Sequence, residues 1–182
     1  PVPGQMPVPD LRQAPDVYCP EGCTDFAFYA RPLGDLKCVM IFVDFPDAPA
    51  GTVSPDNQAA HLLGNGQAQQ LFHDQSYGAF TLTVNVLSHL GWRRLARPSS
   101  EYNCHDFPSH RQYITDAAAL FAGEIDFSHY RFVLIVAPPV AAFPDSPAFN
   151  AASGQGAASA SGEIRLAVTF GQDSYRNSYI NL

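Results

Sequence analysis

Cys38-Val39-Met40-Ile41-Phe42-Val43-Asp44-Phe45-Pro46-Asp47 is the stretch on which the fold turns. Its six successive apolar residues, Cys38 to Val43, are mostly β-branched or aromatic. They are too few for a helix and lack polar alternation, so they predict a strand buried on both faces. Asp44, Pro46, Asp47 and Pro49 punctuate the exit, which sets acidic side chains at the carboxyl edge of a central strand.

Downstream, Ser54-Pro55-Asp56 reads as a helix start, with a hydroxyl cap, a first-turn proline and a carboxylate near the positive end of the dipole. Ala59, Leu62 and Leu63 share a face until Gly64-Asn65-Gly66 breaks the helix, and Gln67 to Asp74 supplies a second helical piece. Phe80 to Val86 alternates with period two, the pattern of a half-buried strand, and Trp92 with Arg93, Arg94 and Arg97 follows in a loop reaching Cys104. Pro108 to Ala122 is the best helix, capped by Asp106 or Ser109, and Arg131 to Ala137 predicts a second fully apolar strand beside the first. Between them Asp126 and Ser128 shape a turn, with Ile125 and Phe127 plugging the core. Ala151 to Gly162 is low in complexity and reads as a mobile loop, and Glu163 to Phe170 is the last strand.

Upstream, six prolines within Pro1 to Pro20 predict an extended surface strap, and Thr24 to Ala30 predicts a strand that hairpins into the central one. Residues 1–37 therefore form the strap and first hairpin, and residues 38–182 the main body. A chain of 182 residues with 46% hydrophobic content builds one core, and its strands and helices read as an α/β domain. The formal charge of -7, with ten Lys and Arg, argues against nucleic acid and anionic membrane as partners. No stretch approaches the ~18 apolar residues of a membrane span.

Four cysteines, Cys19, Cys23, Cys38 and Cys104, lack zinc-ribbon spacing, and an even count among sixteen prolines suits a secreted, oxidised, extracellular protein with two disulfides. Three connectivities are open. Cys19 to Cys38 with Cys23 to Cys104 is favoured because it pins the strap to the central strand and the helical region. None of the histidines, His61, His73, His89, His105, His110 and His129, has an i, i+4 partner or zinc-ligand spacing, so each reads as a surface or satisfied histidine. Asp44 and Asp47 are the acidic pair that matters most. They offer hard oxygen to calcium, although two carboxylates supply only part of a shell of about six to eight oxygens and turn duty is the commoner fate.

The order VMIFVDFPD (residues 39–47), LFHDQSYGAFTLTVNV (71–86), a tryptophan loop with Tyr102, and EIDFSHY (124–130) running into an apolar strand resembles the catalytic domain of the immune-inhibitor-A-like secreted zinc metalloproteases, in their fungal and actinobacterial form. The resemblance runs from about Cys38 to Leu182. It implies a zincin-like α+β fold, a twisted mixed sheet with packed helices, in which an H-E-x-x-H helix holds zinc through two histidines and its glutamate activates the metal-bound water. This chain contains no H-E-x-x-H; in the family that helix follows a segment similar to AVTFGQDSYRNSYINL (167–182), so the active-site helix is missing from this chain.

The expectation is thus the N-terminal part of a secreted zinc metalloendopeptidase that cleaves peptide or protein substrates, with zinc ligands and general base on a following segment or second chain, the C-terminal remainder of the protease. No catalytic residue is assigned in these 182 residues. The resemblance together with strand addition makes Glu163, Ile164, Arg165, Leu166, Ala167, Val168, Thr169 and Phe170 the expected cleft wall, with a neighbouring strand as the alternative holder of that edge and the Ala151 to Gly162 loop either flanking the cleft or solvated away from it. The rivals are a non-catalytic binding module that kept the fold without the zinc helix and a structural or inhibitory fragment released by proteolysis.

Overall fold

The computed structural model describes residues 33–141 and 148–176. The strap, the Thr24 to Ala30 strand, Cys19 and Cys23 lie outside the described residues.

The central strand β1 spans Gly34–Asp44, longer than its apolar run because Gly34 to Lys37 already pair with a neighbour. The body therefore begins before Cys38. After β1, Ser54 accepts from the amide of Asn57 and Pro55 opens helix α1, Pro55–Leu62. Gly64, Asn65 and Gly66 all take positive φ, which ends α1 and redirects the chain into α2, Gln67–Gln75. Strand β2, Phe80–Val86, returns parallel to β1, buries Phe80 and Leu82, and exposes Thr81, Thr83 and Asn85. The short strand β3, Arg93–Arg94, pairs with the end of β1. Helix α3, Phe107–Ala119, is capped by Asp106, which accepts from the Ser109 amide at 2.9 Å.

Strand β4, Phe132–Val136, runs parallel beside β1 as its apolar composition requires. The last strand of the sequence reading divides in two. Gly162–Ile164 is β7, paired with β6, Ala157–Ser159, in a separate two-stranded hairpin, whereas Leu166–Phe170 is β8, parallel to β4. The three-residue strand β5, Ala148–Asn150, joins the far side of β8 antiparallel. The main sheet is therefore mixed, in the order β2-β1-β4-β8-β5, with helices packed on it.

Alternation along β1 divides the core. Val39, Ile41 and Val43 face Tyr113, Ile114 and Ala117 of α3, while Cys38, Met40 and Phe42 face Ala59 and Leu62 of α1. The chain after β8 forms a single turn, α4, Asp173–Arg176. Tyr175 holds this turn down, donating to the Ala137 carbonyl at 2.6 Å and stacking on His61 of α1.

The segment expected to be a mobile loop is ordered. The Glu163 carboxylate accepts from the amides of Gly154 and Gly156, Ala158 donates its amide to Thr115 of α3, and Ala157 is fully buried. Small residues serve close approach here: a Cβ on Gly156 would sit 2.5 Å from the Glu163 side chain and from the Ile164 carbonyl. Low complexity is compatible with order when one carboxylate gathers successive backbone amides.

Candidate functional site

Strand β1 delivers Asp44 to the carboxyl edge of the sheet, where it is 4% exposed. Arg94, placed opposite by the β1–β3 pairing, grips both carboxylate oxygens at 2.5 and 2.8 Å, and the Ala50 amide adds a third donor at 2.9 Å. Burial opposes ionisation of Asp44, but Arg94 and the Ala50 amide outweigh it and hold the carboxyl below its usual range. Asp47 is engaged in the same way: burial opposes its ionisation, but the amide and hydroxyl of Ser99 and the amide of Ser100, all donating to it, together outweigh burial and lower its pKa. The pair does not fit calcium, because oxygens a hard cation needs are already taken by protein donors and one carboxylate is neutralised by a guanidinium. Their work is to lock the turn after β1 onto the loop of residues 93–100. Among the described residues no group of three or more His, Cys, Asp or Glu side chains is placed to hold a metal ion.

A second polar cluster lies under the loop that approaches α3. The Tyr102 hydroxyl donates to Asp116 at 2.9 Å, with Gln112 on the other carboxylate oxygen, and the rings of Tyr102, Tyr113 and Phe45 pack together. Nearby, Arg93 pairs with Glu124 and lies over the Phe121 ring. These contacts weld loop to helix.

The expected cleft wall is distributed over three structures. Glu163 and Ile164 belong to the hairpin strand β7, and the amides of Gly156 and Gly154 hold the Glu163 carboxyl below its usual range. Arg165 is the break between strands, its Nε donating to the Ala151 carbonyl at 3.1 Å. Leu166, Ala167 and Val168 are flanked on both sides, by β4 and by Asn150, Phe149 and Ala148 of β5. Thr169 and Phe170 are fully buried. An interior strand has no main-chain groups left for a peptide at Leu166 to Val168, so the edge passes to β5, and among the described residues no strand pairs with its far side.

Residues absent from the sequence reading as site candidates hold β5 in place. Phe149 is buried, stacked on Phe107 of α3 with ring centroids 5.1 Å apart and met edge-on by His110 at 5.3 Å. His110 Nε2 lies 3.0 Å from the Thr169 hydroxyl, and burial pushes its pKa down to about 4, so the ring is neutral at ordinary pH. One helix turn thus fixes both the edge strand and its neighbour. On the opposite face, the Oδ1 of Asn150 is buried without a hydrogen-bond partner.

Among the described residues no disulfide forms. Cys38 is a free, buried thiol whose pKa is pushed up to about 12 by burial and by Asp35, and its favoured partner, Cys19, lies outside the described residues. Cys104 is buried on the other side of the sheet. Among the described residues no helix is long and apolar enough to cross a membrane. Set against known proteins, the chain matches no family model and no curated protein.

Proposed function

We propose that the chain is the N-terminal part of the catalytic domain of a secreted zinc metalloendopeptidase, with zinc ligands and general base on a segment that follows it. The observation that carries this reading is the edge of the mixed sheet. Strand β5 is antiparallel to its neighbour, short, without a strand partner on its far side among the described residues, and braced from behind by α3. Such an edge takes an extended peptide by main-chain hydrogen bonds, and alternate side chains of the peptide then meet the two faces of the sheet.

The resemblance of residues 38–182 to the secreted metalloproteases adds the chemistry this edge would serve. Zinc, held by the following segment, supplies an activated water there. The residues of this chain position the substrate: β5 aligns the peptide, and Phe149, His110 and Thr169 keep β5 from shifting. Amide hydrogen exchange on the complete protein, with and without a bound peptidic inhibitor, tests the reading. Protection should rise at Ala148–Asn150. An inhibitor that blocks cleavage without changing exchange there overturns it.

A further inference from the structure

At the end of the sheet away from Asp44, Lys37 of β1 and the residues just before β4 and β8, Arg131 and Arg165, form one transverse row of cations. The Arg131 amide donates to the Lys37 carbonyl at 2.8 Å, one residue before the Cys38 and Phe132 pairing. Val133 pairs with Ala167, so two residues earlier Arg131 is level with Arg165. With strands about 4.8 Å apart, the row Lys37, Arg131, Arg165 spans roughly 10 Å. Lys37 and Arg131 share the face of Val39 and Val133 and are both exposed.

Like charges directly opposite each other on a sheet destabilise it. Among the described residues neither Lys37 nor Arg131 has a side-chain hydrogen bond or ion pair, whereas Arg93 and Arg94 each grip a carboxylate. Neighbouring carboxylates are already committed: Asp35 to Thr83, Asp126 to Ser128, and Glu163 to the amides of Gly154 and Gly156. In a chain of net charge -7, Lys37 and Arg131 of this row stand side by side with no carboxylate partner among the described residues.

The row opens on a wide, shallow groove of about 510 Å³ lined by Lys37, Ser128, His129, Tyr130 and Arg131, with Asp35, already bonded to Thr83, on its rim. A narrower cavity of about 80 Å³ shares Tyr130 and Arg131 and continues to Arg165. The Tyr130 hydroxyl accepts from Asn85, which leaves its own proton to donate.

We propose that the row is a binding site for a small multivalent anion bearing two or more carboxylate or phosphate groups. Arg131 supplies a planar fork, Lys37 a point charge, and Tyr130 a neutral donor from the groove wall. The site does not depend on the proteolytic reading.

Titration calorimetry and thermal unfolding with pyrophosphate and with citrate test it, against sodium chloride of matched ionic strength. At least one anion should bind with one-to-one stoichiometry and raise the melting temperature beyond the chloride control, and the preferred one identifies phosphate or carboxylate chemistry. Arg131→Gln should weaken binding by about tenfold or more and Lys37→Gln by less, because a bidentate charged pair is lost in the first and one point charge in the second. Without anion both variants should be at least as stable as the parent, since repulsion is relieved. No binding by either anion, a shift no larger than that of chloride, or binding unchanged in both variants overturns the proposal. Collapse of either variant does so too, because it would reveal a structural contact for a side chain assigned none.

Discussion

Replacing Phe149 by alanine removes the one buried side chain of β5 and tests whether that ring holds the edge strand. The ring is 2% exposed, stacked on Phe107 and edge-on to His110. Deleting a buried Phe costs about 3 to 5 kcal/mol. The lower end applies here, because Phe107 is 41% exposed and can settle into part of the space. Phe149→Leu keeps most of the apolar volume and loses the aromatic contacts, about 0.5 to 1.5 kcal/mol. In urea unfolding the alanine variant should lower the midpoint at unchanged slope. A loss of about 3 kcal/mol corresponds to a fall in melting temperature of roughly 6 to 12 °C for a chain of this length. Amide exchange locates the loss: protection should fall first at Ala148–Asn150 and at Leu166 to Val168, their partners. A cost below about 1 kcal/mol with protection intact at both strands would refute the claim that this ring holds β5.

Other outcomes follow from the same geometry. His110 has a folded pKa pushed below its ordinary value of about 6.5, so the unfolded chain binds the proton more readily, and the stability present above that ordinary value is lost as pH falls toward about 4. The loss is up to about 3 kcal/mol, and His110→Gln should flatten the pH dependence of the melting temperature in that window; an unchanged profile contradicts the assignment. Gly156→Ala should cost about 1 to 3 kcal/mol, since its Cβ meets backbone at Ile164, and should expose residues 151–156 to limited proteolysis. Cys38 should resist alkylation in the native protein at neutral pH and react once unfolded; native labelling, or no thiol at this position after unfolding, contradicts a buried free thiol.

Elements that announce themselves in the sequence are those whose own residues dictate them. The run Cys38 to Val43, the alternation of Phe80 to Val86, the Ser54-Pro55 helix start and the Asp106 cap all appear where local pattern places them. Asp126 likewise shapes its turn, accepting from the amide and hydroxyl of Ser128. What stayed hidden depends on partners distant in the chain. Strand β5 is three residues long and owes its conformation to β8, so no periodicity marks it. The hairpin of β6 and β7 rests on one carboxylate reaching back to glycine amides, which composition alone reads as a loose loop. Treating Glu163 to Phe170 as one strand missed the break at Arg165. The roles of Asp44 and Asp47 turned on donors about fifty residues downstream, Arg94 and Ser99, which spacing does not reveal.

The central claim is a division of labour in which this chain supplies the sheet and the peptide edge and a following segment supplies zinc and the general base. Metal analysis and peptide cleavage, measured together on residues 1–182 and on the chain continued through its following segment, test it most directly. A catalytic zinc needs three protein ligands in fixed geometry, and this sequence offers no spaced histidine pair. The account predicts no stoichiometric zinc and no cleavage for residues 1–182, and one zinc with peptide hydrolysis for the continued chain. Tight zinc binding by residues 1–182 alone, or a continued chain that is inert and metal-free, would contradict it.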